Sequence, residues 1–170
     1  LTENRMTVTV LDVAGSTLNL SERLERVGAV LAEDAAPVAE PDQNIALLLA
    51  GGALANDATL EPQEDGSGYR AVGDPTEGAM VVAAAHMGLW KARLEAVMPR
   101  VAEVPFTSER KRMTTVHRVP THISRENGAI RALIEQLPGS GYIAFTKGAV
   151  DSLLETCSRV WVNGAIQPLD

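Results

Sequence analysis

The chain has 170 residues, 45% of them apolar, and carries a net charge of −7 with an isoelectric point near 5.0. That length buries one core, so a single domain is expected, and the acidic balance argues against a nucleic-acid binder, which carries a basic excess. A lone cysteine, Cys157, excludes an intrachain disulfide and a cysteine-based metal cluster, and the longest apolar run, the 11 residues Ile45 to Ala55, is too short to cross a bilayer.

Met6 to Val13 alternates apolar and β-branched residues and reads as a strand closed by Ala14-Gly15-Ser16. Leu20 to Ala32 spaces apolar residues at the helical period with charges between them. Pro37 to Pro41 breaks that pattern. Pro41 then suits the first turn of a second helix, which runs to about Ala55 and is apolar enough to be largely buried. Asn56 to Gly68 reads as an acidic loop. Tyr69-Arg70-Ala71-Val72 follows, and Gly73-Asp74 leads into a helix ending near Met87. Its start signals agree, with Asp74 as N-cap, Pro75 at the first helical position and Glu77 where a capping-box acid falls.

A short helix covers Trp90 to Met98 and stops at Pro99. Val101 to Phe106 and Met113 to Val119 read as strands joined by a loop that holds Arg110-Lys111-Arg112. Residues 120–141 form a long connection with a short strand near Ala129 to Ile134. Tyr142 to Thr146 reads as a strand ending at Lys147-Gly148, and Ala149 to Cys157 as a helix with Cys157 as a small core residue. Val160 to Ile166 is a hairpin whose Asn163-Gly164 pair favours a type I′ turn. Neighbouring antiparallel strands with helices on their flanks make the fold class α+β.

No G-x-x-x-x-G-K-[ST] loop, H-E-x-x-H pair or nucleophile-elbow serine occurs, and His86, His117 and His122 lack metal-ligand spacing. The chain reads as a binder rather than a catalyst. Its most informative stretch is Val104 to Thr114, where Phe106 lies a few residues from three consecutive cations. An aromatic face beside fixed positive charge suits a purine nucleotide, whose base stacks and whose phosphates need cations. The loop also reads as a solvated turn, or as a basic patch of a non-enzymatic interaction module that docks an acidic protein. Gly148, beside Lys147, lets backbone approach closely.

Four segments, in this order, resemble the nucleotide-binding (N) domain of P-type cation pumps, in particular the calcium-transporting type II group. Leu1-Thr2-Glu3-Asn4 is similar to the tail of the phosphorylation motif D-K-T-G-T-L-T-E-N, and Gly73-Asp74-Pro75-Thr76-Glu77 to the family's acidic N-domain motif. Phe106 to Met113 resembles its adenine-stacking loop, and Phe145-Thr146-Lys147-Gly148-Ala149 its K-G-A motif. The resemblance covers nearly the whole chain and implies a twisted antiparallel sheet flanked by helices. It implies ATP as the ligand, with Phe106 stacked on adenine, Lys111 reaching the phosphates, and Lys147 with Gly148 at the pocket floor. Glu77 would accept a hydrogen bond from the adenine amino group, a role that competes with the capping box for one carboxylate. Arg110 and Arg112 add general positive potential, and Ser108 stands where some relatives carry a basic residue.

The phosphorylated aspartate and the ligands of Mg²⁺ would lie outside this chain, so it is expected to bind ATP and, by itself, not to turn it over. On this resemblance, residues 1–8 are a hinge segment and 9–170 the N domain, ending before an arginine that the family supplies to the phosphates. The implied setting is a cytoplasmic domain of an integral membrane protein. It would work with the phosphorylation and actuator domains of its parent chain, and touch neither nucleic acid nor the membrane.

Overall fold

In a computed structural model of the protein, which describes residues 6–13, 15–21, 31–32, 37, 41–121, 128–135, 137, 141–162 and 165–169, two aspartates start the main core helices. Asp42 caps α1 (Gln43–Leu54), its Oδ1 accepting from the amides of Asn44 and Ile45 at 2.9 Å each. The helix therefore begins after Asp42, and Pro41 precedes the cap rather than occupying the first turn. Ile45, Ala46, Leu49, Ala50, Ala53 and Leu54 recur at helical spacing and form its buried face.

Asp74 caps α2 (Pro75–His86) as its sequence predicts, accepting from the amides of Thr76 at 2.8 Å and Glu77 at 3.1 Å. The Glu77 amide, with the other amide bonds, holds the Asp74 carboxyl below the usual carboxylate range. The buried face of α2 is built from glycine, alanine and valine, with His86 at its end, and it packs against α1. A third helix, α3 (Lys91–Val97), buries Leu94.

The strands pair antiparallel throughout. β1 (Val10–Val13) is shorter than the expected Met6 to Val13 strand and forms a hairpin with β2 (Ser16–Asn19). β3 (Thr59–Pro62) lies inside the stretch expected to be loop and pairs with β4 (Tyr69–Val72). β5 (Arg100–Val104), β6 (Arg112–Val119) and β7 (Gly141–Gly148) form a three-stranded sheet in that order, and β8 (Arg159–Val162) pairs with β9 (Ala165–Pro168). Among the described residues the architecture is thus α+β, with antiparallel sheets flanked by helices.

Two further expectations are corrected. Ala129 to Ile134 is not a strand but lies in α4 (Gly128–Ile134). Ile130, Leu133 and Ile134 are spaced to share one helical face, and all three are buried there, while Arg131 pairs with Glu135 one turn on at 2.7 Å. Cys157 is exposed and lies beyond α5 (Val150–Leu154), which closes in tight turns in which the carbonyls of Leu153 and Leu154 accept from the amides of Thr156 and Cys157. Most of the expected Leu20 to Ala32 helix lies outside the described residues, and Leu31 and Ala32 are not helical. The Asn163-Gly164 turn, His122 and Leu1 to Asn4 also lie outside them. Among the described residues, no helix is long and apolar enough to cross a membrane.

Pleating decides which side chains of the three-stranded sheet meet the helices. Met113, Thr115, His117 and Val119 of β6 are buried, and Met113, Thr115 and His117 lie opposite Lys147, Phe145 and Ile143 of β7. Phe145 fits here because α1 carries Gly51, where a Cβ would fall 2.9 Å from the Phe145 ring. His117 is fully buried, with Nδ1 2.9 Å from the Met98 carbonyl and Nε2 3.0 Å from the Thr115 hydroxyl. The carbonyl only accepts, so Nδ1 carries the proton and the Thr115 hydroxyl donates to Nε2 in the neutral ring.

Burial pushes the pKa of His117 and of His86 down. The unfolded chain takes up protons near the ordinary histidine value of about 6.5, while the folded rings resist protonation. Stability is therefore complete above about pH 6.5 and falls with pH towards the depressed folded values. The urea midpoint should drop between about pH 7.5 and 5.5, and drop less in His117→Gln. An identical pH slope in the two proteins would remove His117 from this account.

Candidate functional site

The register of the three-stranded sheet brings three separate segments to one end. Val104, the last residue of β5, lies opposite Thr114, which in turn lies opposite Thr146. Phe106 follows two residues beyond that row, Lys111 precedes the first residue of β6, and Lys147 and Gly148 close β7. Adjacent strands are about 4.8 Å apart, so the exits of β5 and β7 stand about 10 Å from each other, a span suited to one bound small molecule.

Each side chain has a distinct environment. Phe106 is 60% exposed, an unusual place for one of only two phenylalanines in the chain. Lys147 lies on the helix-facing side of β7, with Phe145 and Ile143, and a cation there needs a partner. Glu77 supplies it: Lys147 Nζ donates to Glu77 Oε1, and both side chains are about four-fifths buried. The second carboxylate oxygen of Glu77 accepts from the Asp57 amide at 3.0 Å. Both oxygens thus face across the fold, and Glu77 leaves the capping-box role unfilled.

Lys147 and Gly148 lie within β7, opposite Met113 and Arg112, rather than in a turn beyond it. Gly148 is needed by the protein itself. A Cβ there would stand 2.3 Å from the Lys111 carbonyl oxygen and 2.6 Å from Arg112 Cβ. That close approach seats the basic loop against the end of β7. Lys111 has φ +49°, its amide donates to the Thr107 carbonyl at 2.8 Å, and its carbonyl accepts from the Ala149 amide at 3.0 Å. Its ammonium lies 3.6 Å from Asp151 in an exposed pair, which contributes little and yields readily to a better anion.

Arg110 and Arg112 are turned towards the protein. Arg110 donates to the Pro105 carbonyl at 3.1 Å, and Arg112 donates to Ser152.

Sequence reasoning missed the support behind Glu77. Asn56 is fully buried, donates to the carbonyls of Gly52 and Glu77 at 3.1 and 3.0 Å, and accepts from the Ala58 amide at 2.8 Å. Its own carbonyl accepts from Lys91 Nζ and from Arg100, each at 2.6 Å, and Lys91 also donates to the Ala58 carbonyl at 2.7 Å. Arg100 adds a 2.8 Å bond to Asp57. This knot fixes the 56–58 segment and so aims the Asp57 amide at Glu77. Burial pushes the pKa of Lys91 down, against the pull of Glu95, but the carbonyl cage has nothing to offer a neutral acceptor and suits the ammonium form. A lysine opening a short helix reads as a solvated charge, so the sequence carried no signal for it.

Beside the site lies a largely apolar cavity of about 720 Å³, bordered by Leu47, Gly51, Met80, Phe145, Lys147 and Trp161. Among the described residues, no group of three or more His, Cys, Asp or Glu side chains is placed to hold a metal ion.

Residues 44–170 match the family described as "P-type ATPase, cytoplasmic domain N". Over 174 residues the chain is 36% identical to "Probable cation-transporting ATPase F" of Mycobacterium tuberculosis H37Rv, an alignment covering 100% of this chain and 17% of that protein. It is 32% identical over 172 residues to "Cation-transporting ATPase pma1" of Synechocystis, with 94% of this chain and 16% of that protein covered. It is 31% identical over 166 residues to "Calcium-transporting ATPase" of Bacillus subtilis, covering 97% and 16%. The chain thus spans about a sixth of the length of these relatives.

Proposed function

Since this chain belongs to the P-type ATPase cytoplasmic domain N family, and so to a cytoplasmic domain of a membrane protein, we propose that the end of its three-stranded sheet binds ATP. The observation that carries this reading is the convergence of an exposed aromatic, a carboxylate–ammonium pair and an exposed lysine on one sheet end. The fit is chemical. Phe106 offers a free face to a base, Glu77 offers an acceptor to an exocyclic amine, and Lys111 offers a cation to phosphate.

Lys147 then holds the Glu77 carboxylate oriented, so that adenine meets a fixed acceptor at the pocket floor. With the base anchored there, the phosphates project towards solvent past Lys111. In the parent protein the γ-phosphate is presented to an aspartate outside this chain, and the phosphoryl group passes to its carboxylate while ADP leaves. Transfer of this kind depends on positioning and charge neutralisation. Residues 1–8 serve as hinge and 9–170 as N domain, working against phosphorylation and actuator domains. Calcium is the cation this reading assigns, on the strength of relatives named for calcium transport.

Titration with ATP, followed by amide and side-chain chemical shifts, tests the reading. Shifts should cluster at Phe106, Lys111 and Lys147, and Mg²⁺ should change the affinity less than about threefold, because the metal ligands lie on other domains. Absence of shifts at those residues, with binding to an acidic protein instead, would establish the docking module.

A further inference from the structure

Ser152 is buried in α5, and its hydroxyl is fully used. It donates to the Arg110 carbonyl at 2.6 Å and accepts from the Arg112 guanidinium at 2.7 Å, while the Ser152 carbonyl accepts from the same guanidinium at 3.2 Å. These bonds fasten both neighbours of Lys111. Lys111 itself sits at φ +49°, a region that a residue with a side chain occupies only when its surroundings hold it there. Three further contacts act on the same turn: the Thr107 carbonyl on the Lys111 amide, the Ala149 amide on the Lys111 carbonyl, and the bare Cα of Gly148 beneath it. Within the turn the Thr107 hydroxyl also accepts from the Arg110 amide at 3.2 Å, while Ser152 acts from α5 through a hydroxyl that substitution removes without altering the backbone.

We infer that Ser152 is a positioning residue for phosphate recognition, a latch that keeps the 107–112 turn in the shape that aims Lys111 at the phosphate chain. The inference rests on the nucleotide reading for its ligand, but not for its geometry. Without the hydroxyl, the Arg110 carbonyl loses its partner and Arg112 loses its shorter bond. The strained turn then relaxes and Lys111 moves off target. The base-binding groups, Phe106 two residues beyond β5, Lys147 on β7 and Glu77 on α2, make no bond to the Ser152 hydroxyl.

The experiment compares the chain with Ser152→Ala and Ser152→Thr, titrating each with ATP and with adenosine by calorimetry and measuring hydrogen exchange of the unliganded Lys111 amide. Ser152→Ala should bind ATP about tenfold more weakly, bind adenosine with unchanged affinity, and exchange the Lys111 amide faster. Ser152→Thr, which keeps the hydroxyl, should restore both properties. Equal losses for ATP and adenosine would mark a general structural role and overturn the proposal, as would no loss at all. If the unsubstituted chain binds neither ligand, the nucleotide reading fails by itself. The latch is then judged on exchange alone, where an unchanged Lys111 amide in Ser152→Ala overturns it.

Discussion

Phe106→Ala lowers the affinity for ATP about tenfold, the loss expected when one base loses an aromatic stacking partner worth about 1–3 kcal/mol. Because the ring is 60% exposed, it buries little apolar surface, and its removal leaves no cavity. The melting temperature should therefore hold while affinity falls, which separates a binding role from a packing role. Adenosine and ATP should lose affinity by the same factor, since the base is common to both. Calorimetric titration of a folded Phe106→Ala protein with unaltered ATP affinity would remove stacking from the mechanism.

Gly148→Ala should have the largest effect on stability of any single methyl added to the site. The new Cβ would stand 2.3 Å from the Lys111 carbonyl oxygen, 2.6 Å from Arg112 Cβ and 2.7 Å from Arg112 Cα. These are not the ends of flexible side chains, so no rotamer relieves the contact. Either the last pair of the β6–β7 ladder, Arg112 with Gly148, opens, or the basic loop lifts from β7. Overpacking of this kind costs about 1–3 kcal/mol, which for a domain of this size lowers the melting temperature by roughly 3–10 °C. ATP binding falls as well, because Lys111 moves with the loop. Gly128→Ala is the control, since a Cβ there meets nothing within 4 Å. A Gly148→Ala protein that melts with Gly128→Ala and binds ATP normally would contradict the packing described here.

The parts of the fold that were legible in the sequence are those decided within one turn of the chain. The start of α2 depends on Asp74, Pro75 and two amides no more than three residues away, so its residues specify it regardless of what packs on it. The β8–β9 hairpin and the strands flanking the basic loop are similarly local in origin. The short apolar stretch around Ile130 was harder, because a run of that length fits a strand or a helix, and burial of Ile130, Leu133 and Ile134 together chose the helix. Cys157 lies outside the core for a different reason, since α5 ends at Leu154 and leaves it exposed.

Glu77 shows where local reasoning ends. Its position three residues after an N-cap is a complete argument for a capping box, yet its carboxylate meets Lys147, 70 residues away, and the amide of Asp57, 20 residues away. The sequence by itself determined which residue types were present for the proposed nucleotide site, and where the helices that carry part of it begin. Only the tertiary structure decided that Lys147 falls on the helix-facing side of β7, that Glu77 answers it, and that Gly148 makes room for the Lys111 carbonyl. The physical reason is that a cap or a turn closes through bonds between near neighbours, whereas a buried charge takes whichever partner the packing brings within reach, at any distance along the chain.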